Sequence, residues 1–221
     1  MPDRHPEVSG ATIVLLGSFN PKIFQPQWFV RQNLLPEAEA EAAEIKIIVP
    51  QVCHFDTERF SVQVLEDRFT ATSKPNTNSA PLRDLVQGAF FVLEHTPITA
   101  MGLNFHQHLA VASDEEWHKI GDKLAPKEGW KEVMTGRPGM RALLIETLLD
   151  EPKGVRFSVK VEPSGVVKPR GVYFETNEHY QGPTDEPLKT LMGVLGSRWE
   201  EAETYASTVI NHILGWATGA G

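Results

Sequence analysis

The sequence predicts an α+β protein: a mostly antiparallel sheet in two successive βα halves, residues 1–135 and 136–221, with the helices packed on one face. Three observations predict it. Short stretches of apolar–polar alternation, the period of a half-buried strand, recur in both halves. A single amphipathic stripe of Leu82, Leu85, Val86, Ala89, Phe90 and Leu93 lies between two strand-like stretches. Thr135-Gly-Arg-Pro-Gly139 is the best candidate boundary, and the pattern also allows both halves to share one core.

In chain order, residues 1–10 read as a frayed tail. Ala11 to Phe19 is an apolar run of strand length, broken by Asn20-Pro21. A short helix is expected from Pro26, with Phe24, Trp28, Phe29 and Leu35 as core anchors. Pro36 to Ala43 forms helix readily but has no large apolar face, so it reads as a solvated turn of helix or a loop. Glu44 to Val52 is a strand, Cys53 to Glu58 a turn, and Arg59 opens the paired strand of a hairpin. Phe60, Val62 and Val64 alternate with Ser61 and Gln63. The phase slips at Leu65, which marks a bulge or a strand end.

Lys74 to Ala80 is a loop, and the amphipathic helix runs from Pro81 to Glu94. Ile98 to Val111 is a long strand with two faces. Thr99, Met101, Leu103, Phe105, Leu109 and Val111 point one way. Ala100, Gly102, Asn104, His106, His108 and Ala110 point the other. Ser113-Asp-Glu-Glu116 is a capping box that starts a helix ending near Gly121. Lys127 to Met134 forms a short turn around Trp130. Beyond the boundary, Met140 to Leu149, Val155 to Val161 and Gly171 to Tyr180 read as strands. A second capping box, Ser197-Arg-Trp-Glu200, opens a helix to about Gly215 with Trp199, Ala202, Ala206, Val209, Ile210 and Ile213 in its stripe. Arg59-Phe-Ser-Val-Gln-Val64 and Arg156-Phe-Ser-Val-Lys-Val161 are nearly identical. An internal duplication explains the match, and so does chance among short strands that draw on the same few residues.

Composition narrows the classes of function. With 221 residues, 41% of them apolar, and with eleven Phe and five Trp, the chain can bury a real core as one large domain or two small ones. The net charge is −8, acidic residues outnumber basic ones in both halves, and there is no basic tail or stripe. Nucleic acid is therefore not expected as the main partner. The single Cys53 excludes an internal disulfide. No signal-peptide core and no apolar run near the ~20 residues of a membrane span occurs, so a soluble cytoplasmic protein is the default. P-loop, Gly-x-Gly-x-x-Gly, His-Glu-x-x-His, Gly-x-Ser-x-Gly and paired Cys-x-x-Cys signatures are all absent, which disfavours the common nucleotide, dinucleotide, zinc-protease and serine-hydrolase classes.

The densest polar constellation is on the long strand. His106 and His108 leave the same face, about 6.6 to 7 Å apart along the backbone. Two such imidazoles can share zinc or another divalent transition metal if a third ligand comes from elsewhere; Asn104, Cys53, His54 and His179 are the candidates. An ordinary solvated strand face accounts for the same pattern. Glu175, Asn177 and His179 share one face of their strand and Glu178 takes the other. Either glutamate would serve as a base if that strand lay beside the histidines. Cys53-His54 is not a nucleophile–base pair within a strand, because adjacent side chains point to opposite faces.

Gln63-Val-Leu-Glu-Asp-Arg-Phe69, the helix with Phe90, and Met101-Gly-Leu-Asn-Phe105 resemble the pattern of an uncharacterised, sporadically distributed bacterial family: a Gln-x-x-x-Asp-Arg-Phe strand, an amphipathic helix, then a strand with a Leu-Asn step. The likeness covers about a quarter of the chain. It implies a bacterial cytoplasmic protein and carries no activity. The leading expectation is a non-enzymatic protein-binding or assembly component that contacts a protein partner or itself and needs no cofactor. The alternative is a metal-dependent hydrolase using His106 and His108.

Overall fold

A computed structural model describes residues 5–219. The chain runs β1 (Val8–Gly17), α1 (Pro26–Arg31), α2 (Glu37–Glu41), β2 (Glu44–Val49), β3 (Val52–Asp56), β4 (Phe60–Leu65), β5 (Arg68–Ser73), α3 (Ala80–Val92), β6 (Ile98–Ala110), α4 (Asp114–Leu124), α5 (Glu128–Lys131), β7 (Leu143–Leu148), β8 (Arg156–Pro163), β9 (Gly171–Gln181) and α6 (Pro187–Thr218). Of the segment expected to fray, residues 1–4 lie outside the described residues, and Val8 to Gly10 belong to β1. The α+β class holds.

The strands form one nine-stranded sheet in the order β2-β3-β4-β5-β1-β6-β9-β8-β7. Every pairing is antiparallel. The first strand of the chain is thus an inner strand, paired to β5 on one side and β6 on the other. Both neighbours run antiparallel to β1, so β5 and β6 are parallel to each other, and α3 carries the chain across β1 between them. The expected boundary segment lies between α5 and β7. Strands on either side of it join through the β6–β9 ladder.

Two expected elements are divided differently. Of the turn expected at Cys53 to Glu58, Cys53 to Asp56 belong to strand β3 and Thr57 and Glu58 do turn the chain toward β4; an additional reversal is at Pro50-Gln51, two residues hidden inside an apolar run. The stretch opened by Arg59, with its bulge or strand end expected at Leu65, is the hairpin β4–β5: the strand ends at Leu65 and the chain reverses at Glu66-Asp67. That reversal causes the phase slip at Leu65, since Val64 and Phe69 are directly opposed.

Helix α6 is 32 residues long and starts at Pro187, so Ser197 is interior and not a cap. Its hydroxyl donates back to the carbonyl of Gly193 at 3.0 Å. Gly193 and Gly196 hide the continuity in the sequence. Gly196 is where α3 crosses closely: a β-carbon there would fall 2.5 Å from Gln87 Nε2. The Gln87 amide donates to the Met192 carbonyl at 2.9 Å.

The core lies between one face of the sheet and the helices. Alternate residues supply it: Ile13 and Leu15 of β1, Val62 and Val64 of β4, Phe69 and Ala71 of β5, Met101, Leu103 and Phe105 of β6. The Phe24 ring is 5.3 Å from Phe69 and 5.9 Å from Phe90, and those two rings meet edge to face at 5.1 Å. Trp199 of α6 packs on Phe105 with centroids 5.0 Å apart. Its indole N–H donates to Ser79 Oγ, and that hydroxyl donates to Glu203. A second cluster continues the core beneath β8, β9 and the C-terminal half of α6, with Phe174 and Ile210 fully buried.

Neighbouring phenylalanines on α3 test the stripe. Phe90 is fully buried and Phe91 is 68% exposed. Phe90→Ala is expected to cost roughly 3–5 kcal/mol, and Phe91→Ala to stay within about 0.5 kcal/mol of the parent. Urea unfolding of both variants checks the contrast.

Candidate functional site

The sheet face turned away from the helices carries the polar constellation. Period-2 geometry puts Asn104, His106 and His108 there, and β9 lies directly beside β6. The register sets Asn104 opposite Asn177, His106 opposite Glu175, His108 opposite Tyr173 and Gly102 opposite His179. Of the three residues expected to share a face of β9, Glu175 meets a histidine of β6, whereas Asn177 meets Asn104 and His179 faces Gly102. Glu175 is the one glutamate of the two that reaches the β6 histidines.

Glu178 is on the helix side, 2% exposed. It accepts from Arg198 Nη2 at 3.1 Å and Nε at 3.3 Å, and from the Tyr180 hydroxyl. The hydrogen bond to Glu178 raises the Arg198 pKa, while burial and then Glu178 raise that of Tyr180. This clamp fastens α6 to β9 and leaves Glu178 no access to the histidines.

Cys53 and His54 do not join the cluster. Cys53 is buried among helix-side residues and its thiol donates to the Phe24 carbonyl at 3.1 Å. Burial pushes its pKa up to about 11, which keeps it a thiol and removes any nucleophilic role at neutral pH. His54 shares the outer face but sits on β3, four strands from β6, a distance of about 19 Å at ~4.8 Å per strand.

A transverse row of polar side chains crosses the outer face. The Thr72 and Thr12 hydroxyls are 3.1 Å apart, Asn104 Nδ2 donates to the Thr12 carbonyl at 3.2 Å, and Asn177 Nδ2 donates to Asn104 Oδ1 at 2.5 Å. Below this row, the His106 ring lies over Gly10, where a β-carbon would fall 2.8 Å from both Cε1 and Nε2. Gly10 is therefore the seat of the imidazole. Next to it, the Tyr173 hydroxyl donates to Glu175 Oε2 at 2.7 Å, and the Tyr173 ring is 4.6 Å from that of His108. Lys160 sits 5.7 Å from the Tyr173 centroid and 2.9 Å from Glu162.

Ser164 fixes the His108 tautomer. Its Oγ accepts from Val166 N–H at 3.1 Å and Val167 N–H at 2.8 Å, so both lone pairs are used. The hydroxyl proton is left to donate to His108 Nδ1, 2.8 Å away. His108 is then neutral with its proton on Nε2. A metal at that nitrogen would have to displace the proton and break the Ser164 arrangement. The two histidine rings are 6.2 Å apart and turned 78° to each other.

Burial depresses the pKa of His106, reinforced by His108 and opposed by Glu175. Burial also depresses that of His108, against Glu162, and that of His179, helped by Arg156. Burial and then Glu175 raise the Tyr173 phenol. At neutral pH the patch presents neutral imidazoles, an un-ionised phenol and amide groups beside the Glu175 carboxyl group and the Lys160–Glu162 ion pair. It is a hydrogen-bonding surface. Among the described residues no group of three or more His, Cys, Asp or Glu is arranged to hold a metal ion.

Gly10, Thr12, Lys160, Glu162 and Ser164 were not singled out by the sequence. Tyr173 shares the parity of Glu175, and Lys160 has outward parity in the Val155 to Val161 alternation, so face assignment was within reach. Gly10 lay in the segment read as a tail. No family model matches the chain, and no curated protein matches it. Among the described residues no helix is long and apolar enough to cross a membrane.

The depressed histidines set a pH dependence. Below the ordinary value of 6.5 the unfolded chain binds protons that folded His106, His108 and His179 resist. Stability is therefore full above pH 6.5 and falls as pH drops through the folded values. Urea unfolding at pH 7.5 and 5.5 is expected to show the loss, and His106→Gln to reduce the difference between the two pH values. An unchanged difference contradicts the assignment.

Proposed function

We propose that the chain is a non-enzymatic protein-binding or assembly component of a bacterial cytoplasmic system, with the two βα halves as its building plan. One observation carries the reading: both terminal strands of the sheet expose apolar side chains. At one end β2 exposes Ile45, Ile47, Ile48 and Val49; at the other, β7 exposes Leu144, Ile145 and Leu148. Free backbone edges lined by apolar residues are templates for pairing with another chain. Sizing the purified protein by light scattering, followed by capture of partners, tests the reading. Self-association or a specific partner is expected, and a strict monomer that captures nothing overturns it.

A second reading, a hydrolase using zinc or another divalent transition metal, draws support from the placement of His106 opposite Glu175. There the metal would activate water and Glu175 would act as base. The Ser164 hydrogen bond weighs against His108 as a ligand. Elemental analysis decides it. A stoichiometric metal lost in His106→Ala or His108→Ala supports the hydrolase, and less than about a tenth of an equivalent ends it.

A further inference from the structure

We propose that a second copy of this chain adds to β7, antiparallel, across a twofold axis beside Ile145, so that two nine-stranded sheets become one. The proposal rests on the assembly reading and names its partner and seam.

The two ends of the sheet are not equivalent. β2 carries a register shift between Ile45 and Ile47 that bulges Lys46 out of the ladder. The Lys46 ammonium is 2.5 Å from Glu44 and 3.8 Å from Asp56. A bulge and a lysine are the usual means of blunting an edge against pairing. β7 has neither. Its register with β8 is regular from Leu143 opposite Val161 to Leu148 opposite Arg156. Its six residues contain no proline and one charge, Glu146. An end-to-end β2–β7 contact between copies would generate an open filament, and the bulged β2 opposes it. A β7–β7 contact is isologous and closes.

Charge and length choose the register. Antiparallel partners must point to the same face, so the axis falls beside one residue of β7. Placed at Glu146, it sets two carboxylates directly opposite each other, which is destabilising. Placed at Leu144, it leaves the end of the strand unpaired. Placed at Ile145, it sets Ile145 against itself, Leu143 against Thr147 and Leu144 against Glu146, and uses nearly the whole strand. The five paired residues then make a seam roughly 17 Å long at about 3.4 Å per residue.

The helix layer explains why the occupant is a whole second copy and not a lone strand. Behind β7 lies an apolar groove of about 390 Å³, floored by Phe157 and Val159 and walled by Tyr205, Val209, Ile213 and Trp216 of α6. Trp216 is half exposed. A single added strand would satisfy the backbone edge and leave this wall wet. The twofold brings a second α6 wall to the same seam, so sheet and helix layers both continue across it.

Light scattering of the full chain over a dilution series is expected to give twice the 24.6 kDa chain mass. Ile145→Lys is expected to give a monomer with an unchanged circular dichroism spectrum, while Ile47→Lys in β2 stays dimeric. Mild oxidation of Ile145→Cys is expected to yield a disulfide-linked dimer, because self-paired residues fall within disulfide reach. Leu143→Cys alone is expected to yield none. A dimer that survives Ile145→Lys and dissociates in Ile47→Lys overturns the β7 seam and leaves the assembly reading standing. A parent that is monomeric at every concentration overturns the second copy, and whether it captures a partner protein then decides the assembly reading separately.

Discussion

The ladder between β1 and its two neighbours is the constraint on which the rest of the molecule depends. Ten residues of β1 pair with β6 along nearly its whole length, and five pair with β5. Without it the β2–β5 meander and the β6–β9–β8–β7 group are separate sheets. The same strand supplies Ile13 and Leu15 to the core and Gly10 and Thr12 to the outer face. Its two-residue period therefore ties the packing of α3 and the seating of His106 to one register. A slip by one residue would exchange the two faces and put Leu15 in water.

Much of the fold was legible because it rests on local periodicity. The α3 stripe, the two faces of β6 from Met101 onward and the alternation in β8 follow from spacing alone, and burial of Leu82, Leu85, Val86, Ala89 and Phe90 on α3 matches that stripe. Thr99 departs from its expected core face, because the register shift at Leu16/Gly17 pairs Gly17 with Ile98, which is buried in its place. The failures have physical causes. Pro50-Gln51 and Glu66-Asp67 reverse the chain in two residues each and leave almost no compositional mark in strand-rich sequence. In α6, two glycines interrupt the apolar stripe, one of them because α3 crosses there. A glycine chosen for helix contact looks like a glycine chosen for a turn.

The outer-face patch was legible by halves. Parity along β6 and β9 assigned each of its histidines and Glu175 to a face, because side chains alternate without exception in an unbulged strand. Which strands are neighbours is not written in parity. β6 and β9 are separated by two helices and two strands in the chain, so the His106–Glu175 and His108–Tyr173 juxtapositions needed the sheet order. Ser164 was beyond sequence reasoning altogether. It acts from a loop, buried, with its oxygen already engaged by two backbone N–H groups, and it sets the protonation of a residue 56 positions away.

The position of β1 has a kinetic side. The meander β2–β5 closes through short hairpins and gains its contacts early, whereas β1 must wait for β6, which lies beyond α3 in the chain. Its ladder closes a loop of most of the first hundred residues, and the entropy of that closure is lost before the contacts return it. The chain belongs with the slower, non-local folders. Until β6 arrives, the apolar strand Ile13-Val-Leu-Leu16 has at most one partner, and in that interval it is the segment most exposed to capture by another unfolded chain or by a chaperone.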